Sequence, residues 1–157
     1  MAIPTQQDIR ERIQLILAEV PGIKRVIEDE DELIDDDDLP VAIVFTRGAR
    51  RNKIGAFQWG VTRDHQIAVL FKRILEWTPE ERHQQWVQAE ELLELVPDYF
   101  NRLDRLALNY QMMDGVIQVG AMNDEGLETR QWGQVDEDNA ALYYAATYTL
   151  PVTVLRR

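Results

Sequence analysis

Near the start of the chain, apolar residues recur at helical spacing. Ile9, Ile13, Ile16, Leu17 and Val20 step by three and four, with Arg10, Glu11, Arg12 and Gln14 mainly on the other side. Thr5 is a capping residue, and Asp8 three positions on makes a loose capping box with a shorter acid than usual. Pro21-Gly22 ends this predicted helix, because proline cannot continue it and glycine tolerates the turn. Ile23 to Ile27 follow, and then a run of acids. Leu39-Pro40-Val41-Ala42-Ile43-Val44-Phe45 is apolar on both faces and predicts a central, well-covered strand. Gly55 and Gly60 predict a hairpin or flexible arm carrying Phe57 and Trp59, and a second apolar strand runs from about Gln66 to Leu75.

The strongest local signal lies in the middle. Thr78 is an N-cap candidate, Pro79 suits the first helical position and Glu81 completes a capping box. Trp86, Ala89, Leu93, Val96, Phe100 and Leu103 then share one face of a long amphipathic helix, which Pro97 is expected to kink or divide. The last third alternates. Gly115 to Met122 predicts a strand, Asn123 to Gly126 a turn, Leu127 to Gln134 its partner strand, and Asp136 to Asn139 another acidic turn. In the closing strand Leu142, Tyr144, Ala146, Tyr148, Leu150, Val152 and Val154 share one face, and Tyr143, Thr147, Thr149 and Thr153 the other. Pro151 cannot donate to a ladder, which predicts an edge or a bulge there.

Strands and helices do not alternate regularly. The order predicts an α+β fold: a mostly antiparallel sheet packed against an N-terminal helix and a long central helix, with a loop or hairpin arm after the first strand. A length of 157 residues fits a single domain, 1–157, and a hydrophobic fraction of 45% supports a core.

Charge changes the picture more than composition does. The formal net charge is −11, the wrong sign for a domain that must displace counterions from phosphate, and a sign that discourages contact with anionic membranes. No apolar run approaches the ~20 residues that cross a bilayer, and the first residues lack the pattern of a signal peptide. The absence of cysteine removes disulfides and thiolate metal sites and fits the cytoplasm. Nine carboxylates crowd Glu28 to Glu32 and Asp35 to Asp38, and their mutual repulsion predicts an exposed, mobile loop.

Catalytic patterns are missing. There is no serine for a nucleophile elbow, no glycine-rich phosphate loop and no HExxH pairing. His65 and His83 each read as solvated. The acidic run lacks the central glycine and spaced glutamate of a calcium loop. No catalytic residue, metal site or cofactor is therefore expected.

One segment opposes the global charge. Arg47, Arg50, Arg51 and Lys53 cluster around Gly48. They read as an ordinary polar hairpin loop, as a contact surface meeting the acids Asp35, Asp36, Asp37 and Asp38 of a neighbouring copy in a head-to-tail ring, or as a loop touching DNA in a pore. The last reading is the weakest, since the rest of the chain repels phosphate. Trp59 and Trp132, among glycines and polar residues, read equally as interface anchors or as partly buried side chains.

The order of features resembles a known family. A short helix ends in Val20-Pro21-Gly22-Ile23, a variable loop leads to Leu39-Pro40-Val41-Ala42-Ile43-Val44, and a second strand, a long helix and a glycine-bounded β segment precede Tyr143-Tyr144-Ala145-Ala146-Thr147-Tyr148-Thr149-Leu150-Pro151-Val152. This layout, spanning nearly the whole chain, resembles the tail-terminator (tail-completion) and minor tail proteins of long-tailed bacteriophages. The resemblance implies a structural virion protein, assembled in the host cytoplasm as a ring, usually of six subunits, that caps the tail tube. Its implied partners are itself, the tail-tube protein and the head-tail connector proteins, with DNA only as cargo through a pore and no membrane. It implies no catalysis and no cofactor. It also implies interface work for the loop after the first strand and for strands of the last third, Tyr143 among them. The rival readings are another neck, head-completion or tail-tube subunit, a cytosolic protein-binding adaptor, and an enzyme using carboxylates or a metal.

Overall fold

The computed structural model describes residues 3–27, 34, 36–73, 78–101, 105–132 and 141–156. Helix α1 (Gln6–Glu19) is followed by strand β1 (Arg25–Ile27), a 3-10 turn (Asp36–Asp38), and strands β2 (Val41–Gly55) and β3 (Gln58–Arg73). Helix α2 (Pro79–Asn101) then leads to β4 (Val116–Val119), β5 (Asn123–Trp132) and β6 (Ala141–Arg156). The fold is α+β. One six-stranded sheet runs in the order β1-β2-β3-β6-β4, with β5 also paired to β6. Every pairing is antiparallel except that of β1 with β2, so the sheet is mixed.

Helix α1 starts as its sequence dictates. The Thr5 backbone N–H donates to Asp8 Oδ2 at 2.8 Å, and the Asp8 N–H donates to Thr5 Oγ1 at 3.2 Å. These two bonds satisfy donors that a helix start otherwise leaves open. They also hold the Asp8 carboxyl below its ordinary proton affinity, the Thr5 backbone bond being the larger cause. Ile9, Ile13, Ile16, Leu17 and Val20 are all buried. They meet Ala89, Leu92, Val96 and Phe100 of α2 and the sheet residues Ala42, Ile67, Val69 and Tyr148 in one apolar cluster, so both helices cover the same face of the sheet. A smaller cluster of Ile27, Leu39, Val41, Ile43, Leu70, Tyr143 and Ala145 lies on the other face. That division explains why residues 41–44 are apolar throughout: alternate side chains enter different clusters.

Four expectations need correction. First, Pro97 does not divide α2, which is continuous through it. A proline at this place leaves the Leu93 carbonyl without its helical N–H. The Tyr148 hydroxyl fills the vacancy, donating to Leu93 O at 2.9 Å. The buried helix face is wider than expected: Leu92 is buried beside the half-buried Leu93, which packs against the same cluster, and Trp86 is 41% exposed, its ring edge-on to Tyr144 at 6.4 Å. Leu103 lies outside the described residues.

Second, Asn123 to Gly126 is not a chain reversal. It is part of β5, with a register shift between Asp124 and Leu127, where the Gly126 N–H donates to Asp124 Oδ1 at 2.8 Å and Gly126 has φ +85°. The partner of β5 is β6, and β4 is short and also pairs with β6.

Third, Pro151 lies in an interior strand. On one side β6 pairs along its length with β3; on the other, β4 covers residues 152–154 and β5 covers 141–149. The proline falls where one partner gives way to the next, so no strand there needs its missing N–H. Its carbonyl accepts from the Gly120 N–H at 2.8 Å. Gly120 must be glycine for this approach, since a Cβ there would stand 2.5 Å from the proline ring.

Fourth, His65 is not solvated. It shares a face of β3 with Ile67 and is fully buried, its Nδ1 3.2 Å from Thr46 Oγ1, while its Nε2 meets no partner among the described residues. Burial first, and the nearby Arg10 and Arg63 charges second, push its pKa down to about 4, with Asp64 opposing. His83 is exposed on α2.

Candidate assembly surface

Four of the residues singled out in the sequence, Arg47, Arg50, Arg51 and Lys53, fall on the far half of β2. The strand is buried from Val41 to Val44 and exposed from Arg47 to Ile54. The change follows the sequence, where apolar alternation gives way to Arg47, Arg50, Arg51, Asn52 and Lys53. These residues are therefore not in a loop. They lie on a β-strand paired with β3, and the turn of the hairpin comes later, at Ala56 and Phe57. Gly48, with φ +54°, falls in a bulge between Arg47 and Arg50, where a left-handed residue adds one position to the strand. Arg50 pairs with Asp64 across the hairpin at 3.1 Å, an exposed contact of little energetic weight.

The hairpin end also carries apolar surface. Phe57 is 85% exposed, and Ile54 and Trp59 are exposed beside it. Ile54 lies across Gly60, where a Cβ would meet its Cδ1 at 2.9 Å. The side chain Gly60 lacks is what lets Ile54 fold onto the hairpin. Basic and apolar groups thus share one exposed tip on an acidic chain.

The other expected residues sit elsewhere. Asp38 Oδ2 pairs with Arg25 NH1 of the same chain at 2.9 Å, each side chain about one-third exposed at 33%. Asp37 is exposed, Asp36 is described in its backbone alone, and Asp35 and Glu28 to Glu32 lie outside the described residues, as does the Asp136 to Asn139 turn. Tyr143 is 4% exposed within the smaller core cluster, so in the single chain it offers no surface.

Sequence reasoning passed over a second charged surface. Helix α2 exposes Glu80, Glu81, Glu90, Glu91, Glu94 and Asp98, against one arginine, Arg82. These acids were visible in the sequence, but their common exposure follows from which face of α2 the core takes. Beside them runs a groove of about 350 Å³ between α2 and the segments around Gly22, Pro40 and Phe71, with Leu92 and Leu95 in its wall and Glu91 at its rim. Another groove of about 500 Å³ separates α1 from β1 and is lined mostly by polar side chains, including Gln7, Glu11, Gln14 and Arg25.

Neither groove brings a histidine to a nucleophile. Among the described residues, the two groups with the largest changes in proton affinity are His65 and Tyr148. Burial is the first cause for both, and the Tyr148 phenol is raised well above its ordinary value. Both lie inside the core and line neither groove. Among the described residues no cluster of three or more histidines and carboxylates is arranged to hold a metal ion, and no helix is long and apolar enough to cross a membrane. No protein-family model and no curated protein matches the chain.

Proposed function

We propose that this chain is a structural assembly subunit of a tailed phage, a tail terminator whose copies form a ring that caps the tail tube and meets the head connector. The observation that supports it is the separation of two unlike surfaces. A basic, apolar-tipped hairpin end lies at one end of β2, and an acidic helix with an apolar groove lies by the other. Unlike patches on one chain favour head-to-tail contacts, which close into rings when the rotation allows it. The family resemblance supplies the particular ring, and the neck, head-completion and tail-tube subunits are its sibling readings.

The test is the mass of the purified protein by light scattering over a range of concentration and salt, with negative-stain images of the same sample. Closed rings with an open centre, or a monomer that forms rings only on added tail tubes, support the reading. A strict monomer that ignores tail tubes overturns it. Because the surfaces are charged and exposed, assembly should weaken between about 0.1 M and 1 M salt, as screening shortens to about 3 Å.

A further inference from the structure

We propose that the end of the sheet beyond the start of α1 binds single-stranded nucleic acid, its phosphates held by Arg51, Lys53, Arg63 and Arg156 and a base stacked on Trp59. The proposal goes beyond the assembly reading and does not rest on it.

The register sorts the basic residues of the hairpin onto two faces, because partners across antiparallel strands share a face. Arg51 stands opposite Val61, and Val61 opposite Val154; Lys53 stands opposite Trp59, and Trp59 opposite Arg156. Both rows lie on the face that α1 covers. Gln6 and Ile9 of the helix share a small cleft with Val61, Arg63, Val154 and Arg156, and an Arg156 guanidinium N–H donates to the Pro4 carbonyl at 2.8 Å. The helix begins there, so Arg51, Lys53 and Trp59 stand exposed past its start. The alternate positions lie on the opposite face. Arg47 is opposite Asp64, and Arg50 is opposite Thr62 and pairs with the Asp64 carboxylate.

Charge decides what meets the first face. Arg51, Lys53, Arg63 and Arg156 make no ion pair among the described residues, on a chain whose net charge is −11. Asp8, in the first turn of α1, holds its carboxylate on the Thr5 N–H. Arg63 lies against the Gln6 carboxamide and Arg156 commits a donor to Pro4, but a guanidinium has five N–H groups, so donors remain for a ligand. The ligand that suits this face carries several negative charges.

Geometry narrows the choice. Neighbouring strands lie about 4.8 Å apart, so Lys53 and Arg156 flank Trp59 with their backbones about 10 Å from each other. An aromatic ring open on a sheet, with a cation on either side, fits a polymer that combines flat bases with phosphates. An unpaired base can stack there; a base inside a duplex cannot, and a run of carboxylate side chains has no ring to offer.

The test is fluorescence anisotropy of a labelled oligothymidine of about 12 nucleotides with the full chain, over a range of salt. Four phosphate contacts to a single strand give a log–log salt slope of about −2.8, an affinity loss of about fifty-fold between about 50 and 200 mM salt. Arg51→Gln with Lys53→Gln should halve that slope. Arg47→Gln with Arg50→Gln removes the same charge from the opposite face and should leave the slope unchanged. Trp59→Ala should weaken binding about tenfold, and Trp59→Phe should keep most of it, which separates stacking from a folding defect. No binding at about 50 mM salt overturns the proposal and leaves the assembly reading standing. Equal losses from the two double variants overturn it too, since net charge alone would then explain binding. So does equal affinity for a duplex of the same length, or displacement of the strand by polyglutamate, since neither has a free base to stack.

Discussion

Removing the Tyr148 hydroxyl tests how a proline survives inside α2. Tyr148 is fully buried, and its hydroxyl donates at 2.9 Å to the Leu93 carbonyl, the acceptor that Pro97 cannot serve. Tyr148→Phe keeps the ring and its packing but leaves that part-buried carbonyl without its side-chain donor. The cost of a buried acceptor losing its partner is about 1–3 kcal/mol. Taking ~2 kcal/mol, and about 2–4 °C per kcal/mol for a domain of this size, Tm should fall by roughly 4–8 °C. Pro97→Ala supplies an N–H in the proper place. In that background the same Tyr148→Phe change should cost under about 1 kcal/mol, because the carbonyl keeps a helical partner. The assay is a double-mutant cycle by urea unfolding, run at one low protein concentration so that assembly does not move the baseline. Equal costs of Tyr148→Phe in the two backgrounds would refute the argument, whatever their size, since the hydroxyl would then not be substituting for the lost helical bond.

Three further outcomes follow from the same structure. His65, held near a pKa of about 4 against 6.5 when unfolded, binds its proton more readily in the unfolded chain, so its neutral burial contributes stability above pH 6.5 that is lost as pH falls toward 4, up to about 3 kcal/mol in all. Unfolding free energies across that window should slope upward with pH, and His65→Gln should flatten the slope. Thr5→Ala removes the side-chain half of the capping box of α1 and should cost about 1 kcal/mol in urea unfolding. Gly120→Ala drives a methyl against the ring of Pro151 at 2.5 Å and should cost about 1–3 kcal/mol, whereas Gly120→Ala combined with Pro151→Ala should recover part of it.

How much of this was readable depends on whether a signal was local. The start of α1 was legible because Thr5, Asp8 and the apolar spacing each act within a few residues. The doubly apolar run of residues 41–44 was legible for the same reason, and both of its faces are indeed buried. Strand β1 was not, because Arg25–Ile27 is held by pairing with β2 rather than by any pattern of its own. Asn123 to Gly126 carries turn chemistry, and the chain uses it for a bulge, since β6 offers a ladder on both sides of it. His65 was hidden by its polar neighbours Arg63, Asp64 and Gln66; strand alternation, which puts it on the face of Ile67, would have found it. The basic tip was visible as charge. That it stands at the far end of the sheet from the acids of α2 is a tertiary fact that no window of sequence contains.

The place of β6 has a consequence for how the chain is made. This strand comes last in the order of elements, yet it is the one with the most partners, bonded to β3 along its length and to β4 and β5 on the other side. During synthesis the earlier strands leave the ribosome before their central neighbour exists. Until residues 141–156 arrive, β3 presents an open ladder edge beside Ile67 and Val69, a template for pairing with another nascent chain. Closing the sheet also requires joining segments some eighty residues apart, roughly the separation of Ile67 from Tyr148, which slows folding as loop closure lengthens. Until β6 is paired, that open edge is where the partly folded chain is most exposed to pairing with another copy.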